Sequence, residues 1–128
     1  MPVIADVRDV EQIDVVAVAP REGGGDWARW AVVPGKVIGT WTGARVREVL
    51  DLVAALPEDE QMRCFNPRYG IRVRSEAAVL SEVALCFSCH NALVIPSEHT
   101  PGLLTWFTFD PESPPAQELL RLFRACEA

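Results

Sequence analysis

The fold is decided by residues 63–90, which read RCFNPRYGIRVRSEAAVLSEVALCFSCH. Alternating apolar and polar residues run on both sides of a polar point at Ser75. Alternation of this kind is typical of strands, and a polar interruption between two such runs is typical of a turn. The pattern therefore predicts an antiparallel hairpin with strands over about 62–74 and 77–87.

Three of the four cysteines of the chain lie at the open end of this predicted hairpin. With the chain reversed at the turn, Cys64 is expected to face position 86 or 87, within one residue of register. Directly opposed side chains in an antiparallel pair are close enough to touch. We therefore expect Cys64, Cys86 and Cys89 to form a shared cluster.

The rest of the chain follows the order strands, helix, strands, helix. Further strands are predicted over 12–19, 27–33, 36–41, 92–95 and 103–109, and helices over about 44–56 and from Ser113 onward. This order predicts an α+β fold with a mainly antiparallel sheet and two helices packed on one face. A length of 128 residues fits a single domain over 1–128.

Composition and charge exclude several classes of partner. The net charge of −6 argues against nucleic acid, because affinity for phosphates rests largely on Lys and Arg. No apolar stretch approaches the roughly 20 residues that cross a bilayer. The first residues carry acids where a secretory signal needs a basic start. We expect a cytoplasmic protein without nucleic-acid or membrane partners, in which thiols stay reduced.

Zinc is one candidate for the cysteine cluster. It takes four Cys or His ligands in structural sites, and Cys-x-x-Cys is a common half-site. Cys64, Cys86, Cys89 and His90 are the candidate ligands, with His99 as the other candidate for the fourth position. Alternatively, the cysteines are buried small apolar residues without a metal.

Redox chemistry is the other use of a Cys-x-x-Cys pair. The reactive thiol of such pairs is usually activated by a helix N-terminus, whereas a turn and a strand are predicted after Cys89. The string Cys-x-x-Cys-His also matches a haem attachment sequence, but no segment points to a second axial ligand. Arg68, expected on a strand face with Cys64, would hold an anionic ligand, lower a thiol pKa or pair with a carboxylate.

The paired cysteine motifs resemble those of an uncharacterised family of bacterial proteins. That family carries Cys-Phe-x-Pro-Arg-His-Gly followed by Cys-Phe-x-Cys, and the matches here are residues 64–68 with Gly70, and residues 86–89. The resemblance implies a shared fold and a shared local site, and no known activity. Tyr69 stands where the family has His, so a role of that His is lost here or taken over by His90.

These observations lead to a small, cytoplasmic, non-catalytic binding module with a structural cysteine cluster and zinc as the candidate cofactor. Its partner would be a protein or a small molecule, with Arg68 and Tyr69 as candidate ligand contacts. The alternative is a thiol-dependent redox or transfer enzyme that uses Cys86 and Cys89. A third alternative, an acidic partner-binding protein of the antitoxin or immunity kind, rests on size and charge alone.

Overall fold

The computed structural model describes residues 4–19, 30–61, 63–96 and 104–127. Within these ranges, six strands form one antiparallel sheet with the order β2-β1-β3-β4-β5-β6. The strands are β1 Gln12–Val18, β2 Gly35–Thr42, β3 Tyr69–Arg74, β4 Val79–Cys86, β5 Asn91–Pro96 and β6 Thr105–Thr108, and the helices are α1 Ala44–Ala55 and α2 Pro114–Ala125. The predicted α+β class is confirmed. No helix in the described ranges is long and apolar enough to cross a membrane.

Both helices bury their apolar residues in one core with the same face of the sheet. Alternate residues of the strands point to this face, because successive side chains of a strand lie on opposite sides. The core contains Val46, Val49, Leu50 and Val53 of α1, Ala116, Leu119, Leu122 and Phe123 of α2, and Ile13, Val15, Ile71, Val73, Val83 and Leu85 of the sheet. The helical spacing of these apolar positions is the signal that predicted both helices.

A second, smaller core lies on the opposite face of the sheet. Val33 packs there with Val16, Ala84, Leu93 and Ile95. Gly70 of β3 makes this approach possible, since a Cβ at that position would lie 2.9 Å from Val33 Cγ1. The glycine of the motif therefore leaves room for the segment that covers this face.

The predicted strand over 27–33 is wrong for its described part, because residues 30–33 contain no strand. The backbone of Val33 bonds to side chains instead of to a neighbouring strand. Its N–H donates to Glu82 Oε1 over 3.0 Å, and its carbonyl accepts from Arg72 over 3.3 Å. Residues 27–29 lie outside the described part of the chain.

The hairpin turn lies where the sequence predicts it. The Ser75 N–H donates to the carbonyl of Ala78 over 2.8 Å, and Ser75 Oγ accepts from the N–H of Ala77 and of Ala78. The first strand of the hairpin begins later than predicted, at Tyr69. Pro67, which has no N–H to donate to a ladder, lies two residues before it.

Candidate functional site

A disulfide between Cys64 and Cys89 lies at the open end of the β3–β4 hairpin. The two Cα atoms are 5.6 Å apart and 25 residues apart in sequence. Cys64 is exposed on the segment that leads into β3, whereas Cys89, in the turn between β4 and β5, is only 4% exposed. The two bonded residues therefore differ in their exposure to solvent.

The predicted pairing of Cys64 with position 86 or 87 is wrong. Tyr69, the first residue of β3, lies opposite Leu85. The ladder is therefore shifted by several residues from the predicted register, and Cys64 lies before the strand. All three cysteines still meet at this end of the hairpin, but Cys64 is joined to Cys89.

Cys86 is a free, fully buried thiol beside the disulfide. Its Sγ accepts a hydrogen bond from the N–H of Asn66 over 3.3 Å, so it contacts the segment that carries Cys64. The hydroxyl of Ser88 lies 3.4 Å from Cys86 Sγ and 3.9 Å from Cys89 Sγ. One hydroxyl thus links the free thiol to the disulfide.

His90 follows the disulfide directly and pairs with a carboxylate. Its Nδ1 lies 2.7 Å from Asp59 Oδ2. A backbone hydrogen bond from Glu60, and then the hydrogen bond with His90, hold the pKa of Asp59 below its ordinary value. His90 has φ of 59°, the left-handed region, which is uncommon for residues other than glycine. Such strain recurs at functional sites.

Asn91, the first residue of β5, neighbours both Cys86 and the Cys64 backbone. It lies directly opposite Cys86 in the ladder, and its Nδ2 donates to the carbonyl of Cys64 over 2.8 Å. The side chain is 5% exposed, and its Oδ1 is buried without a hydrogen-bond partner among the described residues. The site thus contains a spare buried acceptor.

Arg68 and Tyr69, the predicted ligand contacts, point to different surroundings. Arg68 is exposed, and its Nε lies 3.9 Å from Glu127 Oε1. The Tyr69 ring is buried and stacks on the Phe123 ring, with 5.0 Å between the two ring centroids. Burial, with a hydrogen bond to Glu127, raises the pKa of the Tyr69 hydroxyl. A ligand role for either residue stays a prediction. Because the Tyr69 ring is buried, its hydroxyl is the group that would contact a ligand.

Two of the predicted zinc ligands, Cys64 and Cys89, are bonded to each other. In the disulfide form, Cys64 and Cys89 have no thiolates to offer a metal. Within the described ranges, no group of three or more His, Cys, Asp or Glu side chains has an arrangement that could hold a metal ion. Zinc therefore stays a prediction for the reduced protein. His99 lies outside the described residues.

Aromatic side chains adjoin the disulfide on the face of the sheet opposite the helices. The ring centroid of Phe65, next to Cys64, lies 6.3 Å from that of Trp30 and 4.7 Å from that of Trp106. The contact with Trp106 is edge-on. Trp106 is 38% exposed. Trp41, in contrast, packs against Phe123 in the main core. No pattern in the sequence groups Phe65 with these two tryptophans.

Sequence reasoning missed two parts of the site. Asp59 belongs to the acidic run Glu58-Asp59-Glu60, which is typical of a solvated loop, and 31 residues separate it from His90. Asn91 carried no motif, although its position after the Cys-x-x-Cys pair was a signal that could have been used. Comparisons of the chain with protein-family models, with curated proteins and with solved structures found no match.

Proposed function

We propose that this chain is a cytoplasmic thiol–disulfide exchange protein that oxidises a dithiol of a partner protein through the Cys64–Cys89 disulfide. The observation that carries the proposal is the asymmetry of this disulfide, with one exposed cysteine and one buried cysteine beside a third thiol. In the cytoplasm, disulfides of most organisms are catalytic or redox-sensing rather than structural. The proposal thus prefers the enzyme alternative to a purely structural cluster.

Exchange would start at Cys64, because access decides which sulfur an incoming thiolate reaches. The partner thiolate attacks Cys64 Sγ and forms a mixed disulfide, while the Cys64–Cys89 bond breaks. The electron pair leaves on Cys89 Sγ, which then takes up a proton. His90, the neighbour of Cys89 in the chain, is already oriented by its hydrogen bond with Asp59.

The second thiolate of the partner completes the reaction. It attacks the partner sulfur of the mixed disulfide, so that the partner's own disulfide forms and Cys64 leaves as a thiolate, which is then protonated. The partner dithiol loses two electrons and two protons, and the protein gains them as two thiols. This single oxidation of one partner dithiol needs no further oxidant or cofactor.

A monothiol peptide tests this proposal. The oxidised native protein is incubated with the peptide, quenched with acid and mapped by mass spectrometry. We expect a mixed disulfide at Cys64, with Cys89 as the released thiol. The matched control is Cys126→Ser, which removes the other free cysteine and should leave the reaction unchanged. A mixed disulfide at Cys89, or reaction only after addition of urea, would overturn the proposal.

A binding module with structural cysteines is the second candidate, and the aromatic group beside Cys64 favours it. In that case the disulfide only holds Phe65 between Trp30 and Trp106. The native disulfide would then not react with the monothiol. If zinc belongs to the reduced form, reduced protein should retain about one equivalent after dialysis and lose it in Cys86→Ser but not in Cys126→Ser.

A further inference from the structure

The third cysteine of the site is not used by the exchange described above. Cys86 is completely buried, so an outside thiol cannot reach it, yet it lies beside the disulfide. Its Sγ contacts the Cys64 segment through the N–H of Asn66, and both Cys86 Sγ and Cys89 Sγ lie within 3.9 Å of Ser88 Oγ. A buried thiol in this position can react with the neighbouring disulfide but not with a substrate in solution.

We propose that Cys86 is an internal exchange thiol, which moves the disulfide from Cys64–Cys89 to Cys86–Cys89 and releases Cys64. The step rests on the proposed exchange at the same disulfide and assigns a role to its third sulfur. The spacing of Cys86 and Cys89 is that of the Cys-x-x-Cys pairs in thiol oxidoreductases, which close a disulfide across two residues.

The internal step is balanced without any outside reagent. Cys86 loses its proton, and its thiolate attacks Cys89 Sγ. The Cys86–Cys89 bond forms as the Cys64–Cys89 bond breaks, and the electron pair leaves on Cys64 Sγ, which takes up a proton. The number of thiols and disulfides stays the same, so the step is an isomerisation of the oxidised protein.

Asn91 is placed to serve both forms. Its Nδ2 holds the carbonyl of Cys64, so this segment stays beside the site after its disulfide is broken and the step can reverse. Its buried Oδ1, without a partner among the described residues, is an acceptor for a thiol S–H. A spare acceptor opposite Cys86 fits a site in which the position of the free thiol changes.

The consequence for the partner is a choice of chemistry at Cys64. In the Cys64–Cys89 form, Cys64 is an electrophilic sulfur that accepts a partner thiolate. In the Cys86–Cys89 form, Cys64 is a nucleophilic thiol that can attack a partner disulfide. One oxidised protein could therefore isomerise a partner's disulfides as well as form them.

Alkylation without reductant tests the internal step. In the Cys126→Ser background, the oxidised protein has Cys86 as its one free thiol. Iodoacetamide is added to the native protein at neutral pH, and the adduct is mapped without reduction. We expect one adduct per chain on the exposed Cys64, together with a Cys86–Cys89 disulfide. A chain that was merely reduced would carry three adducts and no disulfide.

The control variant is Cys86→Ser in the same background, in which labelling of Cys64 should be lost completely. An adduct on Cys86 itself, or no adduct on Cys64 in the folded protein, would overturn the internal step. This result would leave the proposed function intact if the monothiol peptide still forms its mixed disulfide at Cys64. The map of the parent protein decides the question even if the Cys86 variant does not fold.

Discussion

The side-chain amide of Asn91 donates to the backbone carbonyl of Cys64 over 2.8 Å, beside the disulfide that joins Cys64 to Cys89. The segment before β3 is thus fastened to the β4–β5 region twice, once covalently and once by a partly buried hydrogen bond. The two ties respond differently to reductant, because reduction breaks the first and leaves the second.

Replacement of Asn91 by Ala should lower the free energy of unfolding by about 1 kcal/mol, because a partly buried hydrogen bond is lost. The loss should be larger in reduced protein, where the covalent tie is absent. Urea unfolding of both redox forms measures it. Asn66→Ala is the control, since Asn66 contacts Cys86 through its backbone N–H, which the substitution retains. Equal losses in the two variants would contradict the role of the Asn91 amide.

Reduction of the disulfide should lower the free energy of unfolding by about 3 kcal/mol, since the bond closes a loop of this length in the unfolded chain. Cys64→Ala/Cys89→Ala should be destabilised to a similar extent and should no longer respond to reductant. Guanidinium unfolding with and without reductant gives both values. A parent protein whose midpoint is unaffected by reductant would show that the disulfide does not constrain the fold.

Arg72→Met should cost about 3–5 kcal/mol, because it leaves a buried carboxylate without its cation. Glu82 is 3% exposed and accepts from Arg72 Nε over 2.9 Å. Arg72→Met/Glu82→Leu should cost less than Arg72→Met alone. The control is Arg121→Met, which breaks an exposed pair with Glu118 and should leave stability nearly unchanged. If Arg72→Met/Glu82→Leu were less stable than Arg72→Met, the unpaired carboxylate of Glu82 would not be the cause of the loss.

His90→Gly should be more stable than His90→Ala by about 1 kcal/mol, because the left-handed backbone conformation costs an alanine about that much. Both variants lose the imidazole and its bond to Asp59, so the comparison isolates the backbone. Thermal and urea unfolding measure the difference. An alanine variant as stable as the glycine variant would mean that the backbone at this position relaxes.

Asp59 should contribute to stability against acid. Its pKa is lowered in the folded protein, so its contribution is present above its ordinary pKa of about 4 and is lost as the pH falls through the lowered value. Asp59→Asn should remove this dependence. His90→Gly should remove only part, since the hydrogen bond from the Glu60 backbone is the larger cause. The free energy of unfolding is measured across this pH range for both variants. If Asp59→Asn and His90→Gly changed its pH dependence equally, the Glu60 backbone would not be the larger cause.

The fold was predictable where one local pattern decided each element. The spacing of Val46, Val49, Leu50 and Val53 marks α1, and the alternation of apolar and polar residues over 71–74 marks β3. The segment before β2 was wrongly predicted to be a strand, because Val33 is a β-branched residue of the kind that is enriched in strands. Its backbone groups bond instead to Glu82 and Arg72, which lie far away in the sequence, and no local pattern contains that information.

The site was predictable in its cysteines but not in their pairing. The motifs identify Cys64, Cys86 and Cys89, whereas their pairing depends on where β3 begins. A start at Tyr69 places Cys64 outside the ladder, where strand register no longer determines its neighbours. The Asp59–His90 pair joins a loop to a turn across 31 residues, so neither spacing nor periodicity indicates it.

The Cys64–Cys89 disulfide closes the β3–β4 hairpin at the end opposite its turn, so this part of the chain is a covalent ring. Under tension applied to the two ends of the protein, the ring does not lengthen, even after every strand has separated. Residues 65–88, which lie between the two bonded cysteines, are hidden from the applied force. Fully stretched, the oxidised chain is shorter than the reduced chain by about 85 Å, which makes its redox state readable as a length.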